Sequence, residues 1–397
     1  MHLSDFATPV FRHDPYPAYA RLRAEGPLMQ VAERRLMSGH YKVVDSLLSD
    51  RRVGRDYLES IRLRYGESAV QLPLFQGMSR MFLLLNPPVH TQLRGLMTQA
   101  FGARQMDSMR EVARDTAAGL IETFQAKGHS DLLTEFAFPL PIAIICRMLD
   151  IDAADVTALS HATSALAKVF DPMMTPVELE ATSAAFIQLE TYFHTVIEQR
   201  RNNGGEDLIS RFIQAEDEGR RLSDEEIVSN VILLFFAGHE TTSNMICNAL
   251  VALHRHPQQL RLLQENPSLM PNAVLECMRY DSSVQIATRT ALQDFDIDGV
   301  AVSKGTMLYL MLGAANHDTL QFTDPQVLDI RRQQGRALSF GGGIHHCLGN
   351  RLALIEMEAA LAALLEHLPA LRLQQLDALS WNDRANLRGV DALLACW

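Results

Sequence analysis

One stretch of this sequence, from Ser223 to about His254, has the apolar spacing of an unusually long helix. It begins with Ser223-Asp224-Glu225-Glu226, a capping box in which serine and glutamate side chains accept hydrogen bonds from free backbone N–H groups. Roughly thirty residues, each rising about 1.5 Å, would make a helix about 45 Å long. Such a length is unusual in a globular protein unless the helix crosses the whole core.

Helical patterns far outnumber strand patterns in the rest of the chain. Asp14-Pro15-Tyr16-Pro17 opens a short helix through Leu22, with proline suited to its first turn, and Asn86-Pro87-Pro88 introduces another helix, His90–Phe101. Strand-like alternation is confined to short late pieces: Gln285–Ala291, Phe295–Val302 and Met307–Leu312. We find no internal repeat and no linker-like stretch. The sequence therefore predicts one compact domain over residues 1–397, mainly α-helical with small β-sheets.

The composition is that of a globular protein and excludes several classes. The formal net charge of −11 argues against a general nucleic-acid binder, whose surface is usually basic. The segment Met1 to Pro15 lacks the apolar core of a signal peptide or anchor, and the longest apolar run, about ten residues, is too short to span a bilayer. The cysteines are scattered, without C-x-x-C-H or zinc-ribbon spacing, which favours the reducing cytosol. We therefore expect a cytoplasmic protein that binds neither nucleic acid nor membrane.

The strongest chemical signal is a glycine-rich run that ends in a cysteine and precedes a helical pattern, Leu352–Leu365. The run is Phe340-Gly341-Gly342-Gly343-Ile344-His345-His346-Cys347-Leu348-Gly349. A cysteine just before a helix meets the helix dipole and unpaired N–H groups, which lower the pKa of a thiol and suit a thiolate ligand. Gly343 and Gly349 allow close approach to a flat macrocycle. Phe340 can shield the sulfur from water, which protects the thiolate.

Three other interpretations of this run compete with the thiolate ligand. It could be a glycine-rich turn before a helix in which Cys347 is merely buried. It could be a phosphate-binding loop, although no strand–glycine–helix unit with a downstream acid follows the dinucleotide pattern. His345, His346 and Cys347 could together ligate a metal, although adjacent residues rarely converge on one ion. The residues themselves favour the thiolate ligand.

The second signal, Ala237-Gly238-His239-Glu240-Thr241-Thr242, lies in the middle of the predicted long helix. Glycine inside a helix costs about 1 kcal/mol relative to alanine, so it needs a reason, and a small residue lets a ligand sit against the helix. The acid and hydroxyl that follow, Glu240 and Thr241, can relay protons. Alternatively, the threonine pair only bends the helix by bonding back to it. A zinc-protease helix begins similarly, but Ser243 stands where its second histidine is needed.

The spacing of two further sets of charged residues does not by itself indicate a function. Glu276 and Arg279 are three positions apart on a predicted helix, as many solvated surface pairs are. His90 and Arg94 lie one helical turn apart, and Arg289 lies in a late strand. Buried carboxylates of a cofactor require such partners, and the fork of arginine suits a carboxylate. On spacing alone, a mixed surface face is favoured over a cofactor site.

Together these runs resemble the cytochrome P450 family, and the resemblance extends over almost the whole chain. The cysteine run is similar to the family's cysteine-ligand loop, and the six residues from Ala237 resemble its oxygen-activation motif. The segment from Asn86 through Phe101 resembles its propionate-binding helix. Glu276, Arg279 and Arg332 stand where its structural glutamate–arginine cluster lies. The chain departs from frequent family residues at Ala337, Asn350-Arg351 and Leu354, on or near the side where a partner would dock.

The resemblance implies the P450 prism fold, with the long central helix crossing the cofactor, heme b (iron protoporphyrin IX). Cys347 would then be the axial ligand of the iron, and Glu240 and Thr241 would be the catalytic residues that deliver protons. Other cofactor-binding residues would be His90, Arg94, Ala237, Gly238, Arg289, Phe340, Gly343, His345 and Gly349, of which His345 would reach a haem propionate.

The implied activity is that of a monooxygenase, which activates O2 and hydroxylates or epoxidises an apolar small molecule. The overall pattern resembles soluble enzymes that tailor polyketides, macrolides, terpenoids or carrier-bound acids in secondary metabolism. No flavin or iron–sulfur domain is fused, so electrons would come from a separate ferredoxin and ferredoxin reductase. We expect a monomer. Two alternatives remain: a haem-thiolate enzyme that couples, dehydrates or isomerises without oxygen insertion, and a non-catalytic haem-based ligand-binding protein.

Further segments are expected to contact the substrate and the electron donor. The pocket would be lined by Gln71–Met78, Phe170–Met174, Leu234–Ala237 and Val284–Ile286, which are mostly apolar and contain methionines. Near the cysteine loop, Arg331, Arg332, Arg336 and Arg351 occur with no acidic residue between Asp329 and Glu356. In a protein of net charge −11 they predict a local cationic surface that would steer an acidic iron–sulfur partner.

Overall fold

The computed structural model describes residue 5 and residues 8–170, 174–217, 219–333, 335–384 and 386–397. The chain forms two compact units. The first consists of Met1–Gly54, Arg110–Pro141 and Thr241–Trp397, and the second of Arg55–Met109 and Ile142–Glu240. That residues 1–397 form a single catalytic domain stays a prediction.

Helices dominate both units. The α-helices are α1 (Pro9–His13), α2 (Tyr16–Glu25), α3 (Tyr41–Ser49), α4 (Tyr57–Tyr65), α5 (Pro73–Ser79), α6 (Val89–Ala100), α7 (Ala103–Phe124), α8 (Pro139–Leu149), α9 (Val156–Leu166), α10 (Pro176–Asn203), α11 (Leu208–Gln214), α12 (Asp224–Arg255), α13 (Pro257–Glu265), α14 (Met270–Tyr280), α15 (Leu312–Ala315) and α16 (Asn350–His367). Short 3-10 turns occur at Glu67–Gln71, Phe82–Leu84, Gln125–Lys127, Ala167–Phe170, Pro267–Leu269, Gly343–His345 and Leu376–Ala378, and a π-helical turn at Leu133–Ala137.

The strands are short and most belong to the first unit. They are β1 (Met29–Ala32), β2 (Arg35–Ser38), β3 (Val53–Gly54), β4 (His129–Asp131), β5 (Glu216–Asp217), β6 (Arg220–Arg221), β7 (Ile286–Ala291), β8 (Phe295–Ile297), β9 (Val300–Val302), β10 (Met307–Met311), β11 (Arg372–Leu373) and β12 (Leu394–Cys396). The prediction of a mainly α-helical protein with small sheets is confirmed.

The largest sheet of the first unit joins early and late segments of the chain. Its strand order is β1-β2-β10-β7-β3, with β10 parallel to β2 and antiparallel to β7. Leu308 and Leu310 of β10 are fully buried in one apolar cluster with Val44 and Leu47 of α3. Two of the predicted late strands are confirmed as β7 and β10, whereas the predicted piece Phe295–Val302 is a hairpin of two strands, β8 and β9. The early strands β1, β2 and β3 were not predicted from the sequence. These early strands are only two to four residues long, and pairing with distant strands stabilises them.

The predicted long helix is confirmed as α12, whose 32 residues extend about 48 Å. Its capping box is also confirmed: the Ser223 N–H donates to the Glu226 carboxylate at 3.0 Å, and the Glu226 N–H donates to the Ser223 hydroxyl at 3.2 Å. Apolar side chains such as Ile227 and Val231 are fully buried. The helix therefore gains its stability from packing along its length.

The glutamate–arginine cluster of the first unit is buried. Arg279 donates to the Glu276 carboxylate through Nε and Nη2, each at 2.8 Å, and Arg332 Nε donates to the same carboxylate at 3.1 Å. Arg279 also donates to the backbone carbonyls of Asn316 and Pro325. The cluster predicted from the sequence is thus confirmed, and it holds α14 against the chain that leads toward the cysteine loop.

The second unit is organised around α10. This helix packs on α9, α5 and α11, and the contact with α5 is so close that a Cβ added at Gly77 would lie 2.0 Å from the ring of Phe186. The predicted His90–Phe101 helix is confirmed as α6, shifted by one residue. Of the predicted pocket segment Phe170–Met174, residues 171–173 lie outside the described residues. Among the residues that are described, no helix is both long and apolar enough to cross a membrane.

Candidate functional site

The cysteine loop is closed by its own backbone and by the first side chain of α16. The N–H of Cys347 donates to the carbonyl oxygen of Phe340 at 3.0 Å. The side-chain amide of Asn350 donates to the carbonyl oxygen of Cys347 at 2.7 Å. Cys347 therefore lies three residues before α16, as predicted, in a loop whose two ends are held together. Asn350, a departure from the frequent family residue, contributes one of these contacts.

A glycine is needed at position 343 of this loop because α3 lies very close to it. Its φ is +62°, and an added Cβ would lie 2.1 Å from the carbonyl oxygen of Leu48. Both the left-handed backbone and this contact exclude other residues. By contrast, Gly349 has an ordinary φ of −85°, and an added Cβ would meet no atom within 4 Å. The C-terminal turn of α3 thus packs directly against the loop.

Cys347 differs in burial from most of the other cysteines. Cys146, Cys247 and Cys277 are buried in the core, and burial raises the pKa of each of these thiols, that of Cys146 to about 12. Cys347 is only half-buried. Thiols of high pKa are inert, since the thiolate is the metal ligand and nucleophile. The idea that Cys347 is merely another buried core cysteine is therefore not supported.

A half-buried stripe runs along the middle of α12. Leu234, Ala237, Gly238 and Thr241 are half-buried, whereas Glu240 between them is buried. Their spacing of three, one and three positions puts the four residues on one face of the helix. A Cβ added at Gly238 would meet no atom within 4 Å, so the helix is open beside this glycine. The stripe therefore offers a smooth surface, with a hydroxyl at one end.

His90 and Arg94 in the second unit both lie close to the ring of Phe82. The His90 ring lies 6.3 Å from that of Phe82, and the guanidinium of Arg94 lies 5.8 Å from the same ring. The Phe82 N–H donates to the side-chain oxygen of Asn230 on α12 at 2.9 Å. His90 is 1% exposed. The two predicted cofactor-binding side chains of α6 are thus neighbours, as their spacing predicted.

Arg289, on β7, carries a buried charge that a carboxylate would complement. Its side chain is 4% exposed, and its Nη1 donates to the carbonyl oxygen of Thr288 at 2.9 Å. Within the part of the chain that the structure describes, no carboxylate forms an ion pair with it. Burial lowers the pKa of Arg289 to about 10, so the guanidinium is still charged at neutral pH. A buried, charged guanidinium is costly unless an anionic group compensates it.

The predicted site residues are divided between the two units. The first unit contains Thr241, Arg289, Phe340, Gly343, His345, Cys347 and Gly349, and the second contains His90, Arg94, Ala237, Gly238 and Glu240. In the first unit, His345 is buried in the turn next to Cys347, and the Phe340 ring lies 6.2 Å from that of His346. The cysteine loop and its histidines are therefore brought together with α3 and α16.

Sequence reasoning missed a buried acid in the first unit. Burial raises the pKa of the carboxyl group of Glu356 on α16 well above its ordinary value, and Thr242 of α12 partly opposes this effect. The exposed fractions are 3% for Thr242 and 2% for Glu356. A single acid inside the apolar helical run Leu352–Leu365 is the signal that could have revealed it.

Comparisons with known proteins identify the family of the chain. Residues 51–377 match the family model described as Cytochrome P450. Cytochrome P450 133B2 of Xylella fastidiosa is 58% identical over 396 residues, covering 100% of this chain and 99% of the relative. Cytochrome P450 monooxygenase PikC of Streptomyces venezuelae is 35% identical, covering 98% of this chain and 92% of the relative. The crystal structure of P450BioI in complex with hexadec-9Z-enoic acid ligated acyl carrier protein superposes with a TM-score of 0.92 at 32% identity, covering 98% and 99% of the two chains.

The chain therefore belongs to the cytochrome P450 family. It is a monooxygenase of that family, and its cofactor is heme b. The residues present fit this cofactor in two respects: the open face beside Gly238 has room for a flat group, and the buried guanidinium of Arg289 suits a propionate.

The contact between Gly343 and α3 generates a prediction. Gly343→Ala should lower the free energy of unfolding by at least about 2 kcal/mol, because the left-handed backbone and the collision with Leu48 are both unfavourable. The measurement is urea denaturation together with haem content per protein. Gly119→Ala is the control, since Gly119 is an exposed residue within α7 where an added Cβ meets no atom, and it should stabilise by about 0.5–1 kcal/mol. Equal stability and haem content in Gly343→Ala would contradict the assigned role.

Proposed function

We propose that the protein hydroxylates or epoxidises an apolar small molecule with Cys347 as the axial ligand of the haem iron. The observation that carries this proposal is the cysteine loop. A half-buried cysteine precedes α16 in a closed, glycine-shaped turn, whereas the buried cysteines have raised pKa values. Unpaired N–H groups at the start of a helix stabilise a nearby thiolate. When bound, the haem supplies the reductive activation of O2 and the transfer of one oxygen atom to substrate.

The side chains around the cofactor would hold and shield it. Arg289 would bind one propionate, since its buried charge has no carboxylate partner among the described residues. His90, Arg94 and His345 would be the other propionate partners, because two buried carboxylates need several donors. Phe340 would keep water from the sulfur of Cys347.

Glu240 and Thr241 would manage protons during O2 reduction. Thr241 lies at the end of the half-buried stripe of α12, where its hydroxyl would order a water molecule. The buried carboxyl of Glu240 would pass protons toward it. Ala237 and Gly238 would contribute only their small size, which leaves the helix face open.

For the substrate, we favour an acyl chain or another apolar natural product, modified in a tailoring step. The described parts of the expected pocket segments support an apolar molecule: Leu74, Phe75 and Met78 are buried around the small Gly77, and Leu234 lies on the stripe of α12. P450BioI, whose crystal structure contains an acyl-carrier-bound hexadecenoic acid, supports a carrier-bound acid. A ligand screen on the purified protein, with a shift of the Soret band as readout, would identify the class of substrate.

The alternative reaction is coupling, dehydration or isomerisation without oxygen insertion. Products that lack an atom from labelled O2 would establish it.

Electrons would come from a separate ferredoxin and ferredoxin reductase, which would dock beside the cysteine loop. Several of the predicted arginines pair with acids of the protein: Arg332 bonds Glu276, Arg336 pairs with Asp45 of α3, and Arg331 lies 4.0 Å from Asp329. Arg331 and Arg351 are exposed. Because α3 lies directly against the loop, the exposed Lys42 of α3 and the exposed Arg51, two residues after it, would join this cationic surface. We propose that the protein works as a cytoplasmic monomer.

Replacing the thiolate should change the haem spectrum. In Cys347→His, the red-shifted Soret band of the reduced CO complex should move to the position of histidine-ligated haem proteins, and oxygenation should be lost. Cys396→Ser is the matched control, because Cys396 is also half-buried but lies in β12, and it should keep the thiolate band. A Cys347→His protein that retained the thiolate spectrum would exclude Cys347 as the ligand.

Removing the Thr241 hydroxyl should uncouple the reaction. Thr241→Ala should bind haem and substrate normally but lose product per NAD(P)H consumed by at least about tenfold, with hydrogen peroxide released instead, because no hydroxyl positions the proton donor. Thr241→Ser keeps the hydroxyl and should retain most of the coupling. Unchanged coupling in Thr241→Ala would show that another group performs this role.

Charge reversal beside the loop should weaken electron transfer. Reduction by an acidic ferredoxin should slow as added salt shortens the Debye length from about 30 to 10 Å. Arg351→Glu and Arg51→Glu should each slow reduction by about three- to tenfold at low salt, without changing the substrate-binding spectrum. Arg21→Glu, an exposed residue of α2, is the control. Rates insensitive to both salt and reversal would mean that the partner docks elsewhere or by apolar contact.

A further inference from the structure

A small cavity lies in the first unit, between its N-terminal and C-terminal segments. Phe11, Pro15 and Tyr19 of the N-terminal segment contribute to its wall, as do Trp381 and Gly389 of the C-terminal segment. Its volume is about 20 Å³, which is room for one water molecule or for the end group of a larger ligand. Aromatic and apolar side chains form much of the wall, as they do in most ligand sites.

The charged residues of this wall are all cationic. They are Arg12, Arg384 and Arg388, and among the described residues no aspartate or glutamate lines the cavity. Arg388 is compensated, because its Nε donates to the Asp281 carboxylate at 2.7 Å, and its guanidinium lies 3.5 Å from the centre of the Trp381 ring. Arg12 is half-buried, and within the part of the chain that the structure describes no carboxylate pairs with it. An anionic ligand would therefore find a positive charge that the protein itself does not compensate.

The indole of Trp381 is a second donor available to such a ligand. The residue is 9% exposed, and its Nε1 is buried without a hydrogen-bond acceptor among the described residues. Buried indole N–H groups usually have a partner, and leaving a buried donor unpaired costs about 1–3 kcal/mol. Trp397, the other tryptophan of the chain, is an ordinary case, since its Nε1 donates to the carbonyl oxygen of Gln125 at 2.9 Å. An oxygen atom bound in the cavity would satisfy Trp381.

The cavity adjoins segments that approach the proposed reaction site. Gln285, which also lines it, belongs to the expected pocket segment Val284–Ile286. Gly389 lies against α12, because an added Cβ would be 2.0 Å from the side-chain oxygen of Asn244. Asn244 is three positions after Thr241, so the two residues lie on the same face of the helix. A ligand whose end group lies in the cavity would thus have its remaining part beside the expected pocket.

We propose that this cavity is a carboxylate subsite, in which Arg12 and the indole of Trp381 bind the acid group of an apolar substrate. This inference rests on the proposed oxidation of an apolar molecule, and it makes that molecule a free organic acid. One carboxylate oxygen accepts the indole N–H, and the negative charge is compensated by the guanidinium. Water would satisfy the indole but carries no charge. The thioester of a carrier-bound acid is also uncharged, so the subsite favours the free acid over the carrier-bound form.

The first test is NMR spectroscopy of the holoenzyme with ¹⁵N-labelled indoles, in the reduced CO complex. Trp381 and Trp397 give two Nε1–H signals, and Trp381→Phe assigns them by removing one. Dodecanoate should shift the proton signal of Trp381 downfield, because this N–H gains a hydrogen bond to a charged acceptor. Methyl dodecanoate, which has the same chain without the charge, should leave the signal in place. The Trp397 signal is the internal control, since its N–H already donates to Gln125.

The second test is the affinity for the same two ligands, measured from the Soret shift of the oxidised holoenzyme. Arg12→Gln and Trp381→Phe should each weaken the binding of dodecanoate by about five- to tenfold, because each removes one interaction with the carboxylate. Both variants should bind methyl dodecanoate as the wild type does. Arg21→Gln, at an exposed position of α2, is the control and should bind both ligands normally.

Equal effects of the two substitutions on the acid and on the ester would overturn the subsite, and so would a Trp381 signal that dodecanoate leaves unchanged. A shifted indole signal without a Soret shift would mean that the acid binds away from the haem, and would overturn its assignment as substrate. If the ester causes a Soret shift and the acid does not, the subsite fails while the apolar substrate of the proposed function stands. If neither ligand causes a Soret shift, the subsite and the acyl-chain substrate both fail, whereas the spectrum of Cys347→His still decides the iron ligand.

Discussion

The carboxylate of Glu276 is buried in the first unit, where hydrogen bonds from two arginines compensate its charge. Arg279 bonds it through two nitrogens and Arg332 through one. Arg279 also donates to the carbonyl oxygens of Asn316, Pro325 and Val327. Breaking a buried pair of this kind costs about 3–5 kcal/mol, because the surviving charge is left unpaired. The cluster therefore fixes the path of the chain between α15 and residue 332.

That path leads directly to the cysteine loop. The side-chain oxygen of Asn316 accepts a hydrogen bond from the N–H of Leu338 at 2.7 Å, two residues before Phe340. The carbonyl of Phe340 then accepts the N–H of Cys347. Hydrogen bonds, together with the short backbone stretch from Leu338 to Phe340, thus connect the arginine cluster to the proposed iron ligand. Because each link is buried or part-buried, exchanging it for a bond to water is unfavourable, and the position of the loop is well determined.

The buried polar side chains of α12 are also hydrogen-bonded, at several points along the helix. In the second unit Asn230 accepts the N–H of Phe82 and donates to the carbonyl of Arg80. In the first unit Asn248 donates to the carbonyls of Asp281 and Arg388. Apolar contacts tolerate small rotations and slides of a helix, whereas hydrogen bonds have narrow geometry. The polar residues of α12 therefore specify its rotation, while its apolar residues supply most of its stability.

The sequence by itself determined the features whose signals are local. The capping box and apolar period identify α12, the glycine-rich run before a helix identifies the loop of Cys347, and the resemblance adds the family and its cofactor. The tertiary structure alone decided how distant segments meet. Strands β1 to β3 are too short to be recognised without their partners, and the reason for Gly343 lies in a carbonyl oxygen nearly three hundred positions earlier in the chain. Likewise, only folding shows that Arg336 is engaged by Asp45 and that the carboxyl group of Glu356 is buried. A hydrogen bond or ion pair depends on distance and burial, and neither is encoded in the spacing of residues along one segment.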